Sequence, residues 1–198
     1  MVSPEEALRI VLEVSRHLDE LGIPYAVGGS LASSLHGVPR STQDADLVAD
    51  LRPAHVQSFV AAVSPAFYVS PERVAQAVSR RASFNLVHFA TGIKVDVFTL
   101  KADPLALQEM IRRQTLPIPG PSGTTLQVAS PEDTILQKLH WYQIGNRVSD
   151  RQWNDVLGVL KVKRTSLDFE YLKEWAPHLG VEDLLRQAYD DAGIDPAV

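Results

Sequence analysis

The stretch GGSLASSLHGVPRSTQDADLV, residues 28–48, carries the main information about the fold. It follows a short apolar run, YAV, and it begins with two glycines and a serine. Because glycine has no Cβ, a strand that ends in Gly28 and Gly29 lets a phosphate approach the backbone closely. Ser30 adds a hydroxyl to the free N–H groups of the helix that follows. A strand, two glycines and a helix are also common packing, so this signal alone is weak.

The end of the same stretch places four polar residues at alternate positions. Arg40, Thr42, Asp44 and Asp46 would all point to one face if the chain is extended there. Two carboxylates on one face within about 7 Å repel each other unless a cation lies between them. Mg²⁺ takes oxygen ligands from one or two carboxylates together with substrate phosphates, and the aspartate pair matches that preference. The alternative is that Asp44 caps a turn and Asp46 is solvated at a strand edge.

A third aspartate interrupts a later strand. Asp96 lies in KVDVF, residues 94–98, where it points away from the flanking valines and shares a face with Lys94. A carboxylate in a strand is costly if it is buried without partners. If this strand lies beside the strand of Asp44 and Asp46, the three carboxylates converge. Two metal ions held in this way would align an attacking hydroxyl and a leaving pyrophosphate for in-line phosphoryl transfer.

These motifs together resemble those of the nucleotidyltransferase superfamily with the DNA polymerase β-like fold. Within it, they resemble those of the small AbiEii-like toxins and related minimal nucleotidyltransferase-like proteins. The resemblance covers roughly residues 5–160 and implies a mixed sheet of about five strands. It also implies metal-dependent transfer of a nucleoside monophosphate from an NTP, with release of pyrophosphate. The segment between Ser30 and Asp44 is longer than is usual in the toxin branch.

The resemblance implies a role for each matching residue. Asp44 and Asp46 would bind both Mg²⁺ or Mn²⁺ ions, and Asp96 would bind the ion that activates the acceptor hydroxyl. Asp96 could also serve as general base. The implied nucleotide-binding residues are Gly28, Gly29, Ser30, Arg40, Thr42 and Lys138. The acceptor group could be a hydroxyl or a phosphate, on tRNA, a protein or a small molecule, and an antitoxin protein is a possible partner.

A later helical segment resembles two further parts of these proteins. SPEDTILQKL carries Lys138, for which a point charge on the triphosphate and snorkelling beside an apolar stripe are both reasonable. DRQWNDV resembles a basic-acidic-x-x-Asp segment in which Gln152 replaces the first acidic residue. A local helical pair between Arg151 and Asp155 is the favoured interpretation of this segment, ahead of a catalytic role.

The order of the predicted elements favours an α+β fold with two parts. Strands and helices are mixed as far as residue 129, and the pattern becomes helical after it. We therefore expect a nucleotidyltransferase-fold core at 1–129, in which helices flank a mixed sheet. A helical subdomain packed on that core is expected at 130–198.

The composition restricts the classes of function. The chain of 198 residues has no cysteine, which excludes disulfides, thiolate metal sites and cysteine nucleophiles. Its 19 Lys and Arg residues against 24 Asp and Glu residues give a net charge of -5, so no overall basic field indicates a bulk nucleic-acid binder. No apolar run approaches the roughly 18 residues of a membrane span, and the first residues lack a basic signal-peptide start. We expect a soluble cytoplasmic protein without a membrane partner.

Three hypotheses follow for the function. The first is a Mg²⁺-dependent nucleotidyltransferase. The second is a nucleotide-binding or scaffolding protein that keeps the fold without turnover, because Gln152 departs from the pattern and no acceptor-binding domain is evident. The third is a structural protein in which the aspartates form turns.

Overall fold

The computed structural model describes residues 4–42, 44–118 and 123–196. These residues divide into two compact units. The first unit contains the described residues of Met1–Leu31 and Ser41–Ala129, and the second contains those of Ala32–Arg40 and Ser130–Val198. The boundary predicted after residue 129 had assigned Ala32–Arg40 to the first part.

The first unit is built on a seven-stranded mixed sheet. Its strands are β1 Tyr25–Val27, β2 Asp44–Ala49, β3 Phe67–Tyr68, β4 Ser83–His88, β5 Lys94–Thr99, β6 Gln114–Pro117 and β7 Thr125–Val128. Their order in the sheet is β3-β4-β5-β2-β1-β7-β6, with β2 parallel to β5 and β1 parallel to β7. The α+β class is confirmed, whereas the sheet is larger than the five or so strands that the resemblance implied.

Helices complete the first unit between these strands. Those that lie within it are α1 Pro4–Glu20, α3 Val56–Val63, α4 Pro71–Arg80 and α5 Pro104–Arg112, and α2 Gly29–His36 begins in it. Local sequence features determine both ends of helix α4. Ser70 caps it by accepting a hydrogen bond from the backbone N–H of Arg73, Pro71 occupies the first turn, and Arg81 ends it in the left-handed conformation.

The two strands that carry the aspartates lie at the centre of the sheet. In β2 the buried residues Ala45, Leu47 and Ala49 alternate with half-buried ones, and β5 has the same alternation. This period of two directs one face of each strand into the core and leaves the aspartate face accessible. The hydrophobic alternation therefore positions the aspartates without any contribution from their own charge.

The second unit is helical. Its helices are α6 Pro131–Ile144, α7 Asp150–Lys163, α8 Phe169–Leu179 and α9 Glu182–Ala192, together with the end of α2. Buried side chains from α6 to α9, such as Leu136, Val159 and Leu172, form one core cluster. The loop after α2 packs closely on α7, since a Cβ at Gly37 would lie 2.7 Å from the backbone nitrogen of Val159.

Within the described parts of the chain, no helix combines the length and the apolar character needed to cross a membrane. Trp141 is 50% exposed on α6.

Candidate active site

The pairing of β2 with β5 places the predicted acidic residues on one face of the first unit. Asp46 lies opposite Asp96 in the parallel register, and Asp44 lies opposite Lys94. Neighbouring strands are about 4.8 Å apart, and residues in register across them point to the same side of the sheet. The strand adjacency on which the three-aspartate hypothesis depended is therefore present.

The carboxylate of Asp96 is held at both oxygens by its neighbours. Lys94 Nζ lies 2.7 Å from Oδ2, and the Asn85 side-chain amide donates a hydrogen bond to Oδ1. Asn85 belongs to β4, where it is in register with Asp96. Asp96 is thus a strand carboxylate with partners, which removes the cost of placing it in the sheet.

Lys94 is the cation of this cluster. Its hydrogen bond to Asp96 raises the pKa of the Lys94 ammonium, against a smaller lowering by burial, and the charges of Asp96, Asp44 and Asp46 add to the rise. The ammonium therefore stays protonated and offsets part of the mutual repulsion of the three carboxylates. The sequence showed that Lys94 shares a face with Asp96, but it indicated no role for it.

The two glycines contact Asp46 directly. The Gly28 N–H donates a hydrogen bond of 2.9 Å to the backbone carbonyl of Asp46. Gly29 begins α2 with a positive φ of 57°, and a Cβ there would lie 1.8 Å from Asp46 Oδ2. No described atom would lie within 4 Å of a Cβ at Gly28. The position of the Asp46 side chain thus requires glycine at residue 29, whereas the backbone at Gly28 has space beside it for a ligand.

Thr42 supports the start of β2. It is buried, and its hydroxyl donates a 2.8 Å hydrogen bond to the Asp44 carbonyl and lies 3.3 Å from Asp44 Oδ1. Gln43, between them, lies outside the described residues. Thr42 therefore orients Asp44 in the structure, a contact that differs from the nucleotide-binding role predicted for it.

Replacement of Gly29 by alanine is expected to damage both folding and the site. Gly22→Ala is the matched control, because Gly22 has a φ of 65° and no described atom within 4 Å of an added Cβ. Gly22→Ala should lower the free energy of unfolding by about 1–2 kcal/mol, because only the left-handed conformation disfavours a Cβ there. Gly29→Ala should cost about 1–3 kcal/mol more, because the added Cβ overlaps Asp46. Urea denaturation measures the difference, and equal losses in the two variants would contradict the close contact.

The second unit contains a separate buried ion cluster, formed by Arg40, Lys138 and Asp155. Arg40 binds Asp155 with two hydrogen bonds, Nε to Oδ1 at 2.6 Å and Nη2 to Oδ2 at 2.7 Å. Lys138 Nζ lies 2.7 Å from Asp155 Oδ2. The side chains of Lys138 and Asp155 are only 5% and 4% exposed, so this is an interior ion pair.

This cluster corrects three expectations from the sequence. Asp155 pairs with Arg40 and Lys138, so the predicted local pair with Arg151 was wrong. Lys138 is buried, which excludes the snorkelling interpretation. Arg40 does not continue the aspartate face, because β2 begins at Asp44 and the Arg40 guanidinium binds Asp155. The reason is that a carboxylate in the interior requires full neutralisation, which a weak surface pair cannot supply.

The titration of Asp155 gives a prediction for the pH dependence of stability. Burial alone would raise its pKa, but the Arg40 hydrogen bonds and the Lys138 charge outweigh burial and lower it below the usual value. A lowered pKa stabilises the folded state above the unfolded pKa, about 3.9, and this contribution is lost as the pH falls further. The stability lost in Asp155→Asn should therefore be constant from pH 5 to pH 7 and shrink below about pH 4. Urea denaturation of both proteins at each pH tests this, and a difference independent of pH would contradict it.

The acidic face offers oxygen donors for a metal ion at Asp44 and Asp46. Of the described residues, no three His, Cys, Asp or Glu side chains are arranged to hold one. Both oxygens of Asp96 are already bound by Lys94 and Asn85. Asp44 and Asp46 are carboxylates, the donors that a hard cation takes together with substrate phosphates. The donor set therefore fits an ion held by Asp44 and Asp46, and it does not fit one shared with Asp96 in the observed conformation.

Comparison with known proteins supports the fold. No protein-family model and no curated protein matches the sequence. An antigenic nucleotidyltransferase-like protein from Paracoccidioides brasiliensis is similar in structure with a TM-score of 0.58, at 19% identity, over 96% of this chain and 94% of that one.

Two structures of an antibiotic-resistance factor are also similar. The solution structure of ANT(2'')-Ia has a TM-score of 0.54 at 13% identity, over 93% of this chain and 97% of that one. Its crystal structure in complex with adenylyl-2''-tobramycin has a TM-score of 0.51 at 14% identity, over 86% and 95%. At such low sequence identities, the structural similarity shows a common fold.

Proposed function

We propose that this chain, which has the nucleotidyltransferase fold, transfers a nucleoside monophosphate from an NTP to an acceptor hydroxyl. The observation that carries the proposal is the alignment of Asp44 and Asp46 on β2 with Asp96 on β5, on the sheet face that Gly29 adjoins. Similarity of fold to a structure that contains adenylyl-2''-tobramycin supports the same class of reaction.

The residues of the first unit divide the chemistry between them. Asp44 and Asp46 would hold Mg²⁺ or Mn²⁺, which supplies positive charge against the triphosphate of the bound NTP. Ser30 lies in the first turn of α2, where backbone N–H groups favour an anion, and Gly28 just before the helix leaves room for a phosphate near the backbone. Thr42 keeps Asp44 oriented through its hydrogen bond.

Asp96 is the general base of the proposed reaction. The acceptor hydroxyl oxygen attacks the α-phosphorus, the bond from that phosphorus to the bridging oxygen of pyrophosphate breaks, and Asp96 takes the hydroxyl proton. Lys94 and Asn85 fix the orientation of the Asp96 carboxylate before the acceptor binds. An oriented base contributes more to the rate than a mobile one, because less reorganisation precedes proton transfer.

The nucleotide-binding roles that the sequence suggested for Arg40 and Lys138, both in the second unit, have less support than the roles of the aspartates. Contact of Arg40 and Lys138 with the nucleotide stays a prediction. In the structure both cations bind Asp155, and these ion pairs are a sufficient explanation for a buried lysine and aspartate. A toxin-like role, an antitoxin partner and a cytoplasmic location also stay predictions.

The direct test of the proposed function is incubation with each of the four labelled NTPs in the presence of Mg²⁺ or Mn²⁺. Candidate acceptors are tRNA, protein and aminoglycoside, and both released pyrophosphate and transferred label are measured. Transfer of label that depends on the divalent ion supports the proposal. Absence of both products with every NTP and acceptor would count against turnover.

A second candidate is a nucleotide-binding protein without turnover. The specific observation in its favour is that Lys94 and Asn85 occupy both oxygens of Asp96, the residue that the reaction needs as base. Calorimetry separates the two functions. Tight binding of an NTP with Mg²⁺ and no pyrophosphate over several hours indicates the silent protein, and measurable pyrophosphate excludes it.

A further inference from the structure

A small cavity lies in the first unit beside the acidic face. It has a volume of about 220 Å³, and its lining includes Tyr68, Ser70, Arg73, Asn85, Val87 and Lys94. Asn85 and Lys94 are the two residues that bind Asp96. The cavity therefore borders the proposed general base. Its volume is below the 300–1,000 Å³ typical of whole small-molecule sites, so it suits one part of a larger acceptor.

The register of the sheet connects the cavity to the aspartates. Tyr68 pairs with Val87, Val87 with Lys94, and Lys94 with Asp44, which gives one row of side chains across four strands. The next row contains Asn85, Asp96 and Asp46. Residues in register across a sheet point to the same side. A molecule that occupies the cavity thus has a continuous surface from Tyr68 to the carboxylates.

The charges of the lining favour an anionic ligand. Arg73 on the first turn of α4 is exposed, and Lys94 is half-buried, whereas no described carboxylate lines the cavity. Two acidic residues contact lining residues and are already bonded there: Asp96 to Lys94, and Glu72 to the Ser70 hydroxyl. Of the two cations of the lining, Lys94 is paired with Asp96, so Arg73 is the charge that attracts an anionic group and repels a polycation such as an aminoglycoside.

The lining also offers an aromatic surface. Tyr68 is 63% exposed on the two-residue edge strand β3, although large aromatic side chains are usually more buried. An exposed aromatic ring next to cationic side chains is the combination that binds single nucleotides and nucleic-acid strands, by stacking and by phosphate contact.

We propose that this cavity is the acceptor subsite, and that the acceptor carries a phosphate and a planar base, as a nucleotide does. Arg73 binds the phosphate, Tyr68 stacks on the base, and the acceptor hydroxyl is directed toward Asp96. The proposal rests on the proposed function. A free nucleotide and the end of an RNA strand share this chemistry, and the experiment distinguishes them.

The test measures binding of the acceptor after the donor site has been filled. The full-length protein is first saturated with Mg²⁺ and a non-hydrolysable α,β-methylene ATP analogue, and binding of this analogue is recorded by calorimetry. The protein is then titrated separately with cytidine monophosphate, a labelled five-nucleotide RNA and tobramycin. The variants are Arg73→Ala and Tyr68→Ala, and Arg80→Ala at the other end of α4 is the matched control.

The subsite has a specific expected pattern. Arg73→Ala should weaken binding of the nucleotide ligand about tenfold through loss of a charge-assisted contact, and Tyr68→Ala at least about fivefold, with Arg80→Ala unchanged. Binding of RNA alone assigns the acceptor to a strand end, and binding of cytidine monophosphate assigns it to a free nucleotide. Tighter binding of tobramycin than of either ligand, or equal affinities in Arg73→Ala, Tyr68→Ala and Arg80→Ala, overturns the subsite. If the ATP analogue fails to bind, the proposed function fails instead.

Discussion

Asp46→Asn is expected to lower the rate of pyrophosphate release at least about a hundredfold, with the folded structure retained. Asp46 is the residue on which the site converges: Gly28 donates to its carbonyl, Gly29 adjoins its carboxylate, and Asp96 lies opposite it. Substitutions around metal ligands usually cost ten- to hundredfold in metal affinity or activity, and loss of a ligand costs more. Asparagine keeps the shape, so the effect isolates the charge.

The control for this prediction is Asp50→Asn. Asp50 follows the same strand, and its Oδ2 lies 2.8 Å from Nη2 of the exposed Arg52, so its charge is paired outside the cluster of Asp44, Asp46 and Asp96. Pyrophosphate release is followed for both variants, with Mg²⁺ and then Mn²⁺, and thermal unfolding confirms that each is folded. Equal rates in wild type and Asp46→Asn would remove Asp46 from the chemistry and with it the enzymatic proposal.

Asp155→Ala is expected to lower the free energy of unfolding by about 3–5 kcal/mol. The substitution leaves the buried Lys138 ammonium and the Arg40 guanidinium without their shared carboxylate. Removal of one partner from a buried ion pair has this cost because the remaining charge loses a counter-charge in the interior. Chemical denaturation followed by circular dichroism gives the value.

Two further variants make the prediction about Asp155 specific. Asp150→Ala, on the exposed first turn of the same helix, should change stability by no more than about 1 kcal/mol. Lys138→Met retains the two hydrogen bonds between Arg40 and Asp155, so its loss should be smaller than that of Asp155→Ala. If Asp155→Ala and Asp150→Ala are equally stable, the cluster contributes nothing and a role for Asp155 outside stability has to be sought.

The fold class could be predicted because its signals are local. Alternating buried residues in β2 and β5, and proline with a serine cap at the starts of α4 and α6, are properties of a few consecutive residues. The edge strands β3 and β6 were not predicted. β3 has only two residues, and none of the four residues of β6 is buried, so β3 is too short and β6 too exposed to show the alternation that indicates a strand.

The acidic face could be predicted only in part. Asp44 and Asp46 are separated by one residue, and Asp96 is the one aspartate of its strand. These positions indicated three carboxylates on one face. Lys94 and Asn85 were not recognised as partners of Asp96, because a lysine or an asparagine in a strand has no motif of its own. Their role became visible through the register of β4 with β5, which depends on pairing between strands.

The sequence by itself determined which residues carry charge, where glycine permits close approach, and which strand faces are apolar. These properties depend on side-chain chemistry and on the period of two along a strand. Only the tertiary structure decided the partners of the charges. Arg40 and Asp155 are 115 residues apart and still form a pair of two hydrogen bonds. A buried ion must be neutralised by whatever group the fold brings within about 3 Å, and distance along the chain does not enter that energy.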